Sequence, residues 1–222
     1  MEEKALAELR YLISYPAGFQ KDRKYPLVIF LHGAGTRGHD MNRLQNNSCV
    51  QNLLKRQDER GYILLAPLCT RGNWNEWMSL LIRLVETCRA APYVDESRIH
   101  LTGNSMGGYG TWALATLHPY WFASAMPVCG GGIAGFAMNL VHLPIRAFHG
   151  LRDTTVDPLE SLQMAKAVNT HGGHAELILF PDLEHNCWDA VYSDEKNYDW
   201  LLSFTVCTEK PEVEDLSSTY YG

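Results

Sequence analysis

Gly103-Asn104-Ser105-Met106-Gly107 fits the pattern G-x-S-x-G. A serine there can act as a nucleophile if it sits on a sharp strand-to-helix turn, with its hydroxyl exposed and glycines on either side letting neighbouring chain pass close. The flanking sequence predicts that turn. The apolar run RIHLT leads into it, and MGGYGTWALATL, helical in pattern, leads out. The chemistry is acyl transfer, which needs a base for the serine, an acid to orient the base, and two N–H donors for the oxyanion. In hydrolases built on this turn the chain order is Ser, then acid, then His. Two carboxylates follow the run PIRAFH, Asp153 and Asp157. Asp153 falls just past the strand. Asp157 stands immediately before Pro158 and reads as a helix N-cap, so Asp153 is the predicted acid. Three histidines follow it: His171, His174 and His185. His171 and His174 flank Gly172-Gly173 in a helix-to-strand turn, at the wrong end of the next strand. His185 follows the last strand at its carboxyl end and is the predicted base. The oxyanion donors are Met106, the residue after the nucleophile, and Ala34, in the loop HGAG after the strand YPLVIFL. His118, His142 and His149 read as structural.

These residues need a scaffold that brings the carboxyl ends of several strands together. Short apolar runs alternate with helical patterns along the chain. Leu9–Tyr15, Tyr25–Leu31, Tyr62–Ala66, Arg98–Thr102, Ala123–Val128, Pro144–His149 and Ala175–Phe180 read as strands. Arg43–Arg56, Glu76–Ala90, Met106–Leu117, Pro158–Asn169 and Asp194–Phe204 read as helices. This alternation predicts an α/β fold with a mostly parallel sheet, helices on both faces and the site at the carboxyl ends of the strands. Residues 1–207 are predicted to form a single domain. Residues 208–222 read as a polar acidic tail.

The 222 residues carry 19 Lys and Arg against 25 Asp and Glu, a net charge of −6. Four of the acids (Glu209, Glu212, Glu214, Asp215) lie in the tail, so the body is close to neutral. The scattered basic residues argue against nucleic acid as a partner. No apolar run approaches the length that inserts in a bilayer. Cys49, Cys69, Cys88, Cys129, Cys187 and Cys207 have neither zinc-ligand spacing nor the density of a disulfide framework, and they read as free, mostly buried thiols. The N-terminal Met-Glu-Glu-Lys lacks an apolar signal segment, so a cytoplasmic location is expected. Gly33-Ala34-Gly35-Thr36-Arg37-Gly38 is literally G-x-G-x-x-G, but the following strand ends in Pro67-Leu68-Cys69 with no carboxylate for a ribose. No metal or nucleotide motif is present, and no cofactor is expected.

The segments YPLVIFLHGAGTRG, VDESRIHLTGNSMGGYGTWALA, FASAMPVCGGG, FHGLRDTTV and EHNCWDAVY…YDWLLS together resemble the compact, lid-poor esterases of the α/β-hydrolase fold. These are the phospholipase/carboxylesterase-like group, also called predicted peptidases, related to feruloyl esterases and polyhydroxybutyrate depolymerases. The resemblance reaches to about residue 205. It implies a triad of Ser105, Asp153 and His185 and a loop oxyanion donor at Ala34. Asn104 stands where many relatives have an apolar residue, and the tail has no counterpart. The implied activity is hydrolysis of short-chain, aryl or carbohydrate-linked esters through an acyl-enzyme, with a serine peptidase or thioesterase as the alternative. Trp74 and Trp188 are expected to line the substrate pocket, with Trp77 nearby in a loop at the same end. Trp112, Trp121 and Trp200 are expected in the core. Little sequence is left for a lid, so an open site is expected.

Overall fold

The computed structural model describes residues 1–206. Eight strands form one sheet: β1 (Glu2–Leu6), β2 (Leu9–Ser14), β3 (Tyr25–Leu31), β4 (Ile63–Pro67), β5 (Val94–Asn104), β6 (Ser124–Val128), β7 (Ile145–Gly150) and β8 (Ala175–Phe180). Their order is β1-β2-β4-β3-β5-β6-β7-β8. The first two pairings are antiparallel and all later ones parallel. The helices are α1 (Met41–Gln45), α2 (Ser48–Arg60), α3 (Met78–Arg89), α4 (Met106–Leu117), α5 (Leu159–Thr170), α6 (Trp188–Ser193) and α7 (Glu195–Leu202).

Every residue of β3 is buried, because helices cover both faces of the sheet. Side chains alternate across a strand. Leu27, Ile29 and Leu31 therefore enter one core with residues of α3, α4 and α5. Val28 and Phe30 enter a second core with residues of α2, α6 and α7. The parallel pairing aligns the carboxyl ends of β3, β5, β6 and β7, and the loops bearing residues 32–36, 105, 129–133 and 151–157 leave from that edge.

Four differences from the expected elements have local causes. The predicted helix Arg43–Arg56 is two helices, because Asn47 leaves the helix and its side chain accepts from the N–H groups of Cys49 and Val50 as the cap of α2. Glu2–Leu6 is an unforeseen strand. It carries three charged residues and pairs only at the sheet edge, a composition that hides its strand character and blunts the edge. β5 begins at Val94 rather than Arg98, since β3 extends the ladder through the pairing of Tyr25 with Val94. The predicted helix Asp194–Phe204 appears as α7, preceded by the unpredicted α6. The polar tail expected at 208–222 lies outside the described residues.

Gln57, buried in α2, ties the antiparallel edge to the parallel sheet. Its amide NH₂ donates to Ser14 O at 2.8 Å and Tyr62 O at 2.9 Å, and its Oε1 accepts from Ser14 Oγ at 2.8 Å. Truncation strands three buried polar groups, and each such group costs about 1–3 kcal/mol. Gln57→Ala should lower unfolding free energy by roughly 2–4 kcal/mol, measured by urea denaturation at unchanged m. A midpoint equal to wild type would exclude this bracing role.

Candidate active site

Ser105 sits between β5 and α4 with φ 55° and ψ −119°, in the left-handed half of backbone space that non-glycine residues avoid. Two close contacts impose it. A Cβ on Gly107 would lie 1.8 Å from Leu31 O, and one on Gly103 would lie 2.5 Å from Gly107 O. Helix α4 thus starts against the end of β3 with no room for a side chain. The Ser105 N–H donates to Val128 O at 2.8 Å, which fixes the turn to β6.

The three predicted side chains converge. Ser105 Oγ lies 2.8 Å from His185 Nε2, and His185 Nδ1 lies 2.6 Å from Asp153 Oδ2. The carboxylate can only accept from Nδ1–H, which leaves Nε2 free to accept the serine proton. Asp153 is fully buried at its side chain, while His185 is 19% exposed. The other carboxylate oxygen, Oδ1, accepts from the N–H groups of Thr155 at 2.8 Å and Val156 at 2.9 Å. Burial alone would raise the Asp153 pKa. The hydrogen bonds from Val156 N–H, His185 and Thr155 N–H outweigh it and hold the carboxyl below its ordinary value.

Asp157 stands apart from this chain: its carboxylate accepts from Leu159 N–H at 2.9 Å, at the start of α5. His171 and His174 lie at the opposite edge of the sheet, where Ile145 N–H donates to His174 O. Met106 is the first residue of α4, and Ala34 the first of a 3₁₀ turn, Ala34–Thr36. First-turn N–H groups have no acceptor within their own helix. The Ala34 loop passes beside the serine, since a Cβ on Gly33 would lie 3.4 Å from Ser105 Cβ.

Two buried histidines hold these parts. His32 Nδ1–H donates to Gly33 O at 2.7 Å, its Nε2 accepts from Cys69 N–H at 3.0 Å, and its carbonyl accepts from Trp74 Nε1–H at 3.0 Å. Burial pushes its pKa down to about 4, so the ring is neutral and can accept at Nε2. His149, at the end of β7, stands behind the acid. Its Nε2 is 3.1 Å from Asp153 Oδ2 and 3.0 Å from Val156 O, and its Nδ1 is 2.8 Å from Ser161 Oγ. The sequence shows both histidines at strand ends, but their partners come from other segments.

Two concavities open beside α4, and one of them reaches Met106, the residue after the serine. A cavity of about 350 Å³ is lined by Asn73, Trp74, Asn75, Met106, Tyr109 and Gly110. A cleft of about 480 Å³ shares Asn75 and Tyr109 with it and continues over Trp112, Leu117, Ile133 and Phe136. Phe136 is 54% exposed and Ile133 68% exposed, so an apolar rim faces solvent. These two lie in the β6–β7 insertion, part of which is a 3₁₀ stretch, Ala134–Leu140. Trp74 is buried and packs edge-on to His32. Trp188 opens α6, and its ring meets His185 edge-on at 5.3 Å between centroids. It is absent from the lining of both concavities. Trp112 is buried as expected, yet one face of it lines the cleft. Trp77 is buried, its Nε1–H donating to Arg71 O at 3.0 Å. Trp121 and Trp200 are packed against the two cores. Tyr109, Ile133 and Phe136 escaped the sequence reading, because nothing in their spacing ties them to the serine.

The sheet order, the strained serine and the loops at one sheet edge define a protein of the α/β-hydrolase fold. The chain belongs to the dienelactone hydrolase family, whose model matches residues 51–198. It is similar to a probable feruloyl esterase C of Aspergillus terreus, 25% identical over 169 residues that cover 73% of this chain and 62% of that protein. It is also similar to dipeptidyl-peptidase 5 of Porphyromonas gingivalis, 23% identical over 77% of this chain and 32% of that one. The crystal structure of a thermostable esterase superposes with a TM-score of 0.81 and 30% identity, covering 89% of this chain and 59% of that one. The chain thus spans about three fifths of the length of the feruloyl esterase and of the crystallised esterase. Among the described residues no helix is long and apolar enough to cross a membrane.

The depressed Asp153 pKa has a signed consequence. A carboxyl with a lowered folded-state pKa contributes stability above its ordinary value of 3.8 and loses it as pH falls through the lower folded value. The stability gap between wild type and Asp153→Asn, measured by urea midpoints from pH 7 to pH 2, should shrink below about pH 4. A gap that widens on acidification would contradict the assigned bonds.

Proposed function

We propose that the protein is a serine carboxylesterase acting on short-chain or aryl esters, the acid or alcohol of which carries an apolar group. The 2.8 Å contact of Ser105 Oγ with His185 Nε2 carries this reading. In it, His185 takes the serine proton as Oγ attacks the ester carbonyl. Asp153 keeps Nδ1 protonated and stabilises the imidazolium that forms. The N–H groups of Ala34 and Met106 receive the oxyanion. The protonated His185 then releases the alcohol, and water activated by the same ring frees the acid. The similarity to a feruloyl esterase and the apolar cleft beside Tyr109 both favour an aryl group as the apolar part. The open rim supports a site that also admits bulky, carbohydrate-linked alcohols.

A fluorophosphonate probe should label wild type and not Ser105→Ala. That variant should lose p-nitrophenyl acetate hydrolysis by at least about 10⁴-fold. Unlabelled wild type, or hydrolysis of aminoacyl anilides in preference to esters, would overturn the esterase reading in favour of an inactive or a peptidase site. Phe136→Ala should raise KM roughly tenfold for methyl ferulate and p-nitrophenyl octanoate while leaving p-nitrophenyl acetate unchanged. Equal loss on all three esters would remove the cleft from substrate binding.

A further inference from the structure

We infer that Cys129 and Cys187 are a disulfide site, closed by a disulfide oxidant during folding, that locks the loop bearing His185 to the carboxyl end of β6. Their sulfurs lie 2.9 Å apart, and both residues are fully buried. Non-bonded sulfurs ordinarily stand farther apart than this, and bond formation needs less than an ångström of further approach.

The backbone supports the same assignment. Cys129 has φ 49°, one of three non-glycine residues in the left-handed region among the described residues. One of the others is Ser105, the predicted nucleophile. Three glycines, Gly130 to Gly132, follow Cys129 directly. A fourth glycine would adopt φ 49° without penalty, whereas the cysteine bears the strain of a Cβ there. What the cysteine adds is a sulfur directed at Cys187. Cys129 is held in place by its N–H, which donates to Phe148 O at 2.8 Å. Cys187 is two residues past His185, and its carbonyl accepts from the N–H groups of Ala190 and Val191 at the start of α6. A bond between the two therefore ties the base-bearing loop, through α6 and β6, to the strand whose Val128 carbonyl accepts from Ser105. It also closes a loop between positions 58 residues apart, which restricts the unfolded chain.

The Cys187 sulfur is not suited to act as a nucleophile in the folded protein. Contact with Cys129, burial and the Asp153 carboxylate push the Cys187 thiol far above its ordinary range. A thiol kept protonated exchanges slowly, so the bond belongs to the folding chain, where both thiols are accessible. There, one protein thiolate attacks an oxidised low-molecular-weight disulfide such as oxidised glutathione and forms a mixed disulfide, releasing one small thiol. The second protein thiolate attacks the protein sulfur of that mixed disulfide and displaces the other. The protein loses two protons and two electrons, and the small disulfide is reduced to two thiols.

The test uses the full chain refolded in a buffer of reduced and oxidised glutathione, then unfolded, alkylated and mapped by mass spectrometry. The expected result is one linked pair joining the Cys129 and Cys187 peptides, with the other four cysteines, Cys49, Cys69, Cys88 and Cys207, alkylated as thiols. Protein reduced while unfolded and refolded in dithiothreitol should show a Tm lower by on the order of 10 °C than protein refolded in the glutathione buffer. Cys187→Ala should show the low Tm with or without dithiothreitol, and Cys129→Gly provides a second variant compatible with the left-handed backbone. Full alkylation of Cys129 and Cys187, a link to another cysteine, or an equal wild-type Tm after refolding with and without dithiothreitol would overturn the inference. None of these readouts depends on the proposed esterase activity.

Discussion

Helix α4 meets the end of β3 so closely that the Gly107 Cα stands against the Leu31 carbonyl with no space for a methyl group. The rest of the site follows from that contact. It forces the chain to turn sharply between β5 and α4, and it puts Ser105 in a backbone conformation that costs of order 1–3 kcal/mol. The strain persists because the turn is held from several sides: β3 below, the Val128 carbonyl on the Ser105 N–H, and Gly108 packed against the chain at Gly130. A strained turn at the carboxyl edge of a parallel sheet leaves the hydroxyl projecting and the first N–H groups of α4 without acceptors in their own helix. The proposed nucleophile and the proposed oxyanion donor are therefore products of one packing constraint.

Asp153 and His185, the proposed acid and base, are held by a different kind of force. Asp153 is an anion withdrawn from water, which is costly unless donors surround it. Two backbone N–H groups, His185 and His149 supply them. The loop after β7 curls around the carboxylate for that reason, and His185 is oriented as a consequence. The ring is left 19% exposed while its partner stays dry. The cleft requires neither force. It exists because the β6–β7 insertion leaves Ile133 and Phe136 with part of their surface uncovered beside α4. That insertion can therefore vary without disturbing the turn or the buried carboxylate.

Much of this was legible in residue order. The runs at 25–31, 106–117 and 175–180 coincide with β3, α4 and β8, since continuous apolar strands and a glycine-led helix are strong local signals. The preference for His185 over His171 and His174 came from the rule that sites gather at the carboxyl edge, and that for Asp153 over Asp157 from Asp157 reading as a helix N-cap before Pro158. Local signals failed where long-range pairing overrode them. The charged strand Glu2–Leu6 exists because β2 offers an edge, and β5 reaches back to Val94 because β3 is there to pair with it. The split between α1 and α2 was written locally in Asn47, but apolar periodicity masked it.

The sequence by itself determined the alternation of strands and helices, the G-x-S-x-G turn and the order of serine, acid and histidine, because each depends on neighbours in the chain. Only the tertiary structure decided how those residues meet. The 2.8 Å and 2.6 Å contacts join positions 80 and 32 residues apart. The second histidine on Asp153, the apolar cleft shared by α4 and the β6–β7 insertion, and the meeting of Cys129 with Cys187 are likewise products of packing between distant segments. Chain-local rules carry no record of such distances, which are fixed when both faces of the sheet are covered and the strand ends are brought into line.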